Sequence, residues 1–323
     1  MPKFAKTLEI IRDDPESFYK GGLANDIVKD IKVGGGIITL EDLKNYTTVV
    51  RTPLSEKMGD YTWYTNPPPG SGAVLSLILN ILKEAFKFGY AYRALLGDED
   101  FWDVREVVKN MTSSAFGDSL RHKIFDNRTF ANYSYYGDFY SKADDQGTTH
   151  LSIISPDGDA VAATSTINLL FGSKYRSLQT GIIYNNEMDD FSTPGKKNSF
   201  GIEPSRSNYI APRKRPMSSM SPSIFVDSKG VPRLAVVMNY LWFDRNLTQA
   251  VVEPRLHHQL VPNEIRIYKN RQIPLDLQNG LKGLGHKLAE ISSFTAVQAV
   301  ATSADGKLYG KADPRKSSYA AGF

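Results

Sequence analysis

Apolar positions at the start of the chain recur at helical spacing. Leu8, Ile10 and Ile11 form a short apolar face in a charged amphipathic segment, and Pro15 suits the first turn of a following helix. Leu23, Ile27, Val28 and Ile31 continue the period and stop at Gly34-Gly35-Gly36. Thr39-Leu-Glu-Asp42 has the form of a capping box, with Asp in place of Glu, and predicts another short helix. Val49 to Leu54 and Tyr61 to Thr65 read as strands, and Asn66-Pro-Pro-Pro-Gly-Ser-Gly72 then breaks the chain. Leu75 to Phe86 and Phe101 to Phe116 carry the clearest helical patterns. From Thr149 the period changes. Two β-rich runs, 149–155 and 160–167, are joined by Pro156-Asp-Gly-Asp159, a hairpin signal. Gly181 to Tyr184, Ser223 to Val226 and Ala296 to Ala301 are strand-like, whereas Asn239 to Val252 is helical in pattern and ends near Pro254. Helices followed by a mainly antiparallel region predict packed α and β layers.

Composition narrows the class. With 323 residues, 41% hydrophobic and 23% charged, the chain can bury a substantial core as one large domain or two fused halves. A net charge of +4, with acids and bases interspersed, points to neither nucleic acid nor a membrane surface. Zero cysteines exclude disulfides, thiolate metal sites and a cysteine nucleophile. His257 and His258 are adjacent and lack ligand spacing, so no metal is expected, and no other cofactor is called for. Pro67-Pro-Pro-Gly-Ser-Gly72 precedes a helix but no Gly-Lys-Ser/Thr follows, so it reads as a structural turn rather than a phosphate loop. Arg213-Lys-Arg215 reads as solvated surface. Five sequons, at Asn45, Asn110, Asn127, Asn132 and Asn246, suit a secreted chain. The amino end has no apolar signal region, and Ala73 to Leu82 is far short of the ~20 residues of a membrane span. Any targeting element is therefore expected outside this sequence.

The stretch richest in chemistry is Asp144-Asp-Gln-Gly-Thr148-Thr-His-Leu-Ser. Gly147 imposes no Cβ bulk and tolerates strained backbone, so the Thr148 hydroxyl can attack its carbonyl. Self-cleavage there would free the Thr148 α-amino group. With a reference pKa of ~8, that amine can act as the general base for its own hydroxyl. By itself the Gly-Thr-Thr triplet is better read as an ordinary strand start.

Several ordered motifs resemble the γ-glutamyltransferase (γ-glutamyl transpeptidase, glutathione hydrolase) family. They are Thr148-Thr-His-Leu-Ser, Pro156-Asp-Gly-Asp-Ala-Val-Ala-Ala-Thr-Ser-Thr-Ile-Asn168 with Phe171-Gly172, Asn185-Asn-Glu-Met-Asp-Asp-Phe191, Arg215-Pro-Met-Ser-Ser-Met-Ser-Pro222, Glu253-Pro-Arg-Leu-His-His258 and Asp313-Pro-Arg-Lys316. The resemblance implies an α+β fold, a four-layer αββα sandwich of N-terminal-nucleophile hydrolase type. It implies one chain cut between Gly147 and Thr148. Residues 1–147 would be the carboxy-terminal part of the large subunit, residues 148–323 the small subunit, and the two products a heterodimer. Thr148 would take the γ-glutamyl group from glutathione and its conjugates and pass it to water or to an acceptor amino acid or peptide. Thr166 and Asn168 match residues beside the nucleophile, and at i and i+2 they would share one face of a strand. Glu187 and Asp190 match the anions that hold the substrate's α-amino group, and their spacing would align them in a helical turn. Ser218 and Ser219 match the hydroxyls that hold its α-carboxylate. The family further implies a secreted or membrane-anchored protein.

Two departures from the family pattern stand out. An arginine that the family's amino-terminal half supplies for the α-carboxylate is expected to precede this chain, and two hydroxyls do not replace its bidentate geometry. After Gly230-Val-Pro-Arg-Leu234 the sequence passes directly to Ala235-Val-Val-Met-Asn, without the Gly-Gly-Thr segment whose backbone forms the oxyanion hole. One oxyanion donor is worth roughly 3–4 kcal/mol, so an impaired member of the family is the alternative expectation.

Overall fold

The computed structural model describes residues 1–81, 85–137, 147–196, 204–234, 240, 245–292, 296–303, 306–316 and 318–322. They fall into two compact units, 1–51 with 166–189 and 52–165 with 190–323.

The first unit holds α1 (Pro2–Asp13), α2 (Ser17–Lys20), α3 (Gly22–Val33) and α4 (Leu40–Lys44). As the period predicts, α3 buries Leu23, Ala24, Ile27 and Val28 and closes at Gly34. The Thr39 capping box is complete: Asp42 N donates to Thr39 Oγ1 at 3.3 Å and Thr39 N donates to Asp42 Oδ2 at 2.8 Å. The apolar face expected for α1 differs, because Leu8 and Ile10 are exposed and Thr7 is buried. Polar contacts hold this helix instead. Thr7 Oγ1 donates to Thr180 O at 2.8 Å, and the Lys3 ammonium donates to Leu178 O. The same loop meets α3, where Tyr175 OH donates to Asp30 O at 3.1 Å and the Ser177 hydroxyl donates to the buried Asp30 carboxylate. The strand expected over Gly181–Tyr184 is reduced to an isolated bridge between Arg176 and Ile183. Gly181, at φ 75°, breaks the extended run.

The second unit is built on a sheet in the order β1-β2-β5-β6-β10-β11. Its strands are β1 (Leu54–Met58), β2 (Tyr61–Thr65), β5 (Ser223–Val226), β6 (Pro232–Leu234), β10 (Ala299–Thr302) and β11 (Leu308–Lys311), with neighbours antiparallel throughout. β3 (Thr148–Ile154) and β4 (Ala160–Thr166) form a two-stranded sheet. β7 (Leu256–His257), β8 (Ile265–Tyr268) and β9 (Leu288–Ile291) form a third, in which β8 and β9 run parallel. The strand expected over Val49–Leu54 begins only at Leu54. Gly59-Asp60 makes a two-residue turn with Gly59 at φ 60°, and pairing extends from it back to Leu54 opposite Thr65, while Val50 lies exposed. The strand near Ala296–Ala301 is shifted to start at Ala299.

The helices of this unit are α5 (Gly72–Ile81), α6 (Ala85–Arg93), α7 (Arg105–Met111), α8 (Ser114–Arg121), α9 (Leu247–Val252) and α10 (Leu275–Gly283). The run Leu75–Phe86 straddles α5 and the start of α6, with residues 82–84 outside the described set. Phe101–Phe116 is two helices rather than one, because Ser113 Oγ accepts from Phe116 N at 3.4 Å and starts α8 afresh. Of the helix expected over Asn239–Val252, residues 239 and 241–244 lie outside the described residues, and Asn246 caps the remainder. Leu77, Ile81, Phe88, Leu96, Met111 and Tyr136 are buried among these helices. Trp63, Phe225, Leu234 and Ala301 of the sheet pack with Leu247 and Val251 of α9.

His257 sits edge-on to Phe86 and Tyr90. His258 Nδ1 accepts from Leu260 N at 2.9 Å, leaving Nε2 to donate to Asn263 Oδ1 at 3.2 Å. Burial pushes His257 down to about 4, with Arg266 adding to it, and pushes His258 down to about 3, with the charge of Lys87 adding to it. Both are neutral when folded, whereas an unfolded histidine titrates near 6.5. Their stabilisation is therefore complete above about pH 6.5 and is lost as the pH falls toward 4. Denaturant midpoints measured from pH 7 to 4.5 should decline, and His257→Phe and His258→Asn should each flatten that decline, by up to about 1.4 kcal/mol per pH unit. Identical slopes in wild type and both variants would contradict this assignment.

Candidate functional site

Thr148 is the first residue of β3 and follows Gly147 directly, while residues 138–146 lie outside the described residues. The turn after β3 is closed by Ser155 N donating to Asp159 O at 2.8 Å, with Gly158 at φ 91°. His150 ties the two strands together: Nδ1 lies 2.7 Å from Thr164 Oγ1 and Nε2 lies 2.9 Å from Ser152 Oγ. Burial lowers the His150 pKa and favours its neutral form. Ser152 Oγ in turn donates to Gln298 O, just before β10, at 3.1 Å. The Thr148 carbonyl accepts from Lys316 Nζ at 2.5 Å. Lys316 follows Asp313, a fully buried carboxylate bonded by the Arg255 guanidinium and, at 3.1 Å, by Arg315 Nη1. Lys316 was legible only as the last residue of the Asp313-Pro-Arg-Lys motif, with no sign of what it touches.

Thr166, Asn168 and Glu187 lie in the first unit. Thr166 ends β4, but Asn168 is not on a strand face: it sits at φ 68°, which asparagine tolerates better than most residues. Asn168 N donates to Thr166 Oγ1 at 2.8 Å, and Asn168 Nδ2 donates to Asn186 O at 3.1 Å. Asn168 is only 2% exposed, and among the described residues its buried Oδ1 has no hydrogen-bond partner. Leu169 N donates to Asn186 Oδ1 at 3.1 Å, which fastens this segment to the turn carrying Glu187. The helical turn expected there is present in 3-10 form, Glu187–Asp190, and opens with Glu187 N donating to Asn185 Oδ1 at 3.0 Å. In such a turn residues three apart stand over one another.

Thr148, Asp190, Ser218 and Ser219 belong to the second unit. The Pro67–Gly72 turn carries the serine pair: Ser218 N donates to Pro69 O at 2.9 Å, Ser71 Oγ donates to Ser218 O at 2.5 Å, and Ser71 N donates to Met220 O at 2.9 Å. Ser218 Oγ accepts from Met220 N at 3.3 Å. Arg93, buried at the end of α6, directs Nη2 at Ser219 Oγ, 3.4 Å away. This arginine had no distinguishing sequence signal, since it ends an ordinary helical pattern. The basic run is less solvated than expected. Lys214 Nζ donates to Ser207 O at 2.7 Å, and Arg215 N donates to a carboxylate oxygen of the fully buried Asp98 at 2.8 Å.

A family profile described as gamma-glutamyltranspeptidase matches residues 1–323. The chain belongs to the gamma-glutamyltranspeptidase family. Among related proteins, Scoloptoxin SSD14 of Scolopendra dehaani is 40% identical over 90% of this chain and 57% of its own length. Glutathione hydrolase 2 of Arabidopsis thaliana is 37% identical over 100% of this chain and 64% of its own. The glutathione hydrolase proenzyme of Escherichia coli is 36% identical over 96% and 59%. The chain thus spans about three fifths of the length of the curated relatives it matches. The Arabidopsis match extends over 372 positions for a chain of 323 residues, so that relative holds stretches this chain lacks. The crystal structure of cephalosporin acylase from Bacillus halodurans matches with a TM-score of 0.77 at 22% identity, over 97% of this chain and 61% of that one. That likeness establishes the α+β fold of the N-terminal-nucleophile hydrolases.

Gly97 lets two segments of this family member meet. A Cβ there would lie 2.3 Å from Ser207 O, a main-chain atom that cannot swing aside. Gly97→Ala should cost about 1–3 kcal/mol and lower the melting temperature. A melting temperature equal to wild type would show that the contact is dispensable.

Proposed function

We propose that the protein is a γ-glutamyl hydrolase and transferase acting on glutathione and its conjugates, with Thr148 as nucleophile. The observation that carries this reading is the asparagine-fastened turn of Asn168, Asn186 and Glu187, where a buried side-chain oxygen of Asn168 has no partner among the described residues. Buried acceptors are normally satisfied, and an ammonium donor would satisfy this one. In this reading Glu187 and Asp190 attract the α-ammonium, and Ser218 and Ser219, with the positive charge of Arg93 behind them, receive the α-carboxylate. The Thr148 hydroxyl attacks the γ-amide carbon. Its proton passes to the Thr148 α-amine and then to the leaving amine, and water or an acceptor amine releases the glutamyl ester. Thr166 Oγ1 accepts from Asn168 N and in this reading steadies the turn that carries Asn168.

The α-amine exists only after a cut between Gly147 and Thr148, which would give subunits 1–147 and 148–323. The setting in this reading is extracellular, or anchored through a segment outside this chain. Supporting it, Asn45, Asn127, Asn132 and Asn246 are exposed sequon residues. Among the described residues, no helix is long and apolar enough to cross a membrane.

A second reading concerns the 323-residue chain alone, and the direct passage from Leu234 to Ala235 favours it. Without the Gly-Gly-Thr segment the oxyanion lacks its donors, so this chain turns over slowly. Purified 1–323 should release p-nitroaniline from a γ-glutamyl anilide at least a hundredfold more slowly than a full-length relative. Ready release would overturn the impairment. With the missing segments restored, Thr148→Ala should leave only uncut chain by intact mass and abolish turnover. Turnover persisting in that variant would end the nucleophile assignment.

A further inference from the structure

The backbone of the Asp190 turn and the backbone just before the serine pair are joined by one side chain. Asn208 ends the 3-10 turn Arg206–Asn208 and is 4% exposed. Its Nδ2 donates to Asp190 O at 2.6 Å, and its Oδ1 accepts from Met217 N at 3.0 Å. Its main chain is engaged as well: Ser192 N donates to Asn208 O at 3.0 Å, and Asn208 N donates to Ser205 O at 3.2 Å. The turn itself is pinned by the Ser205 hydroxyl donating to Ala94 O at 2.5 Å and the Ser207 hydroxyl donating to Leu96 O at 2.7 Å. Asn208 is thus a fixed brace between the segment 190–192 and Met217, whose next two residues are Ser218 and Ser219.

We propose that Asn208 is a positioning residue for amino-acid head-group recognition, setting the distance between the Asp190 carboxylate and the Ser218–Ser219 hydroxyls. This rests on the γ-glutamyl reading above. An α-amino acid carries its ammonium and carboxylate on one carbon, so the groups that receive them must keep one separation. A displacement on the order of 1 Å in such a constellation costs up to about a hundredfold. Asparagine fits the brace because it is a donor at one end and an acceptor at the other. An ionised aspartate would set an oxygen against Asp190 O, whereas a protonated one would restore the donor. Leucine, of similar size, would remove both bonds.

The test is calorimetric binding to the full 323-residue chain, comparing L-glutamate with glutarate, which has the same chain and no ammonium. Wild type should prefer L-glutamate. Asn208→Leu and Asn208→Asp should lose tenfold or more of the L-glutamate affinity while glutarate binding moves less than twofold. Melting curves and amide spectra keep a folding defect separate. The proposal is overturned if the variants keep the wild-type preference, if both ligands weaken equally, or if both variants unfold, since Asn208 would then serve the fold and not the head group. Failure of wild type to bind L-glutamate at all would instead remove the γ-glutamyl reading, and this inference with it.

Discussion

A buried backbone amide or carbonyl outside helix and sheet must still find a partner, and where no other main-chain group is in reach a side chain supplies it; this requirement shapes the loops that carry the chemistry. Such a group left unpaired costs about 1–3 kcal/mol, so each loop has one permitted position rather than many. Asn186 and Asn168 meet the requirement in the first unit: Asn186 Oδ1 accepts from Leu169 N, and Asn168 Nδ2 donates to Asn186 O. Ser71, Ser205 and Ser207 meet it in the second, on carbonyls of residues 218, 94 and 96. Short polar side chains suit this work because they lose little rotamer entropy when fixed. The result is a set of irregular segments held as firmly as regular elements.

Much of the fold was legible because local signals agreed with tertiary packing. The capping box at Thr39, the apolar stripe of α3 and the Asp-Gly turn between β3 and β4 each specify their own structure within a few residues. Where local and distant demands differ, periodicity misleads. Leu8 and Ile10 are exposed because Lys3 and Thr7 are claimed by carbonyls more than 170 residues away in the chain. Phe101–Phe116 looks continuous in hydrophobicity, yet one serine hydroxyl restarts the helix. The candidate site divides in the same way. Thr148, Glu187 and Asp190 were singled out by motif, and their segments have the strand start and the helical turn expected of them. Asn186, Arg93 and Lys316 carry no periodic or compositional mark, because their importance lies in which remote atom each one reaches.

The order of strands in the large sheet bears on what a break at residue 147 would produce. β1 and β2 precede that point and β5, β6, β10 and β11 follow it, yet β2 and β5 are paired over four residues, from Thr62 opposite Val226 to Thr65 opposite Ser223. Within the second unit a nicked molecule would keep one sheet, each polypeptide supplying strands to it. Parting the two would strip the β2–β5 seam of its hydrogen bonds and bare Trp63, whose ring stacks on Phe225 across that seam.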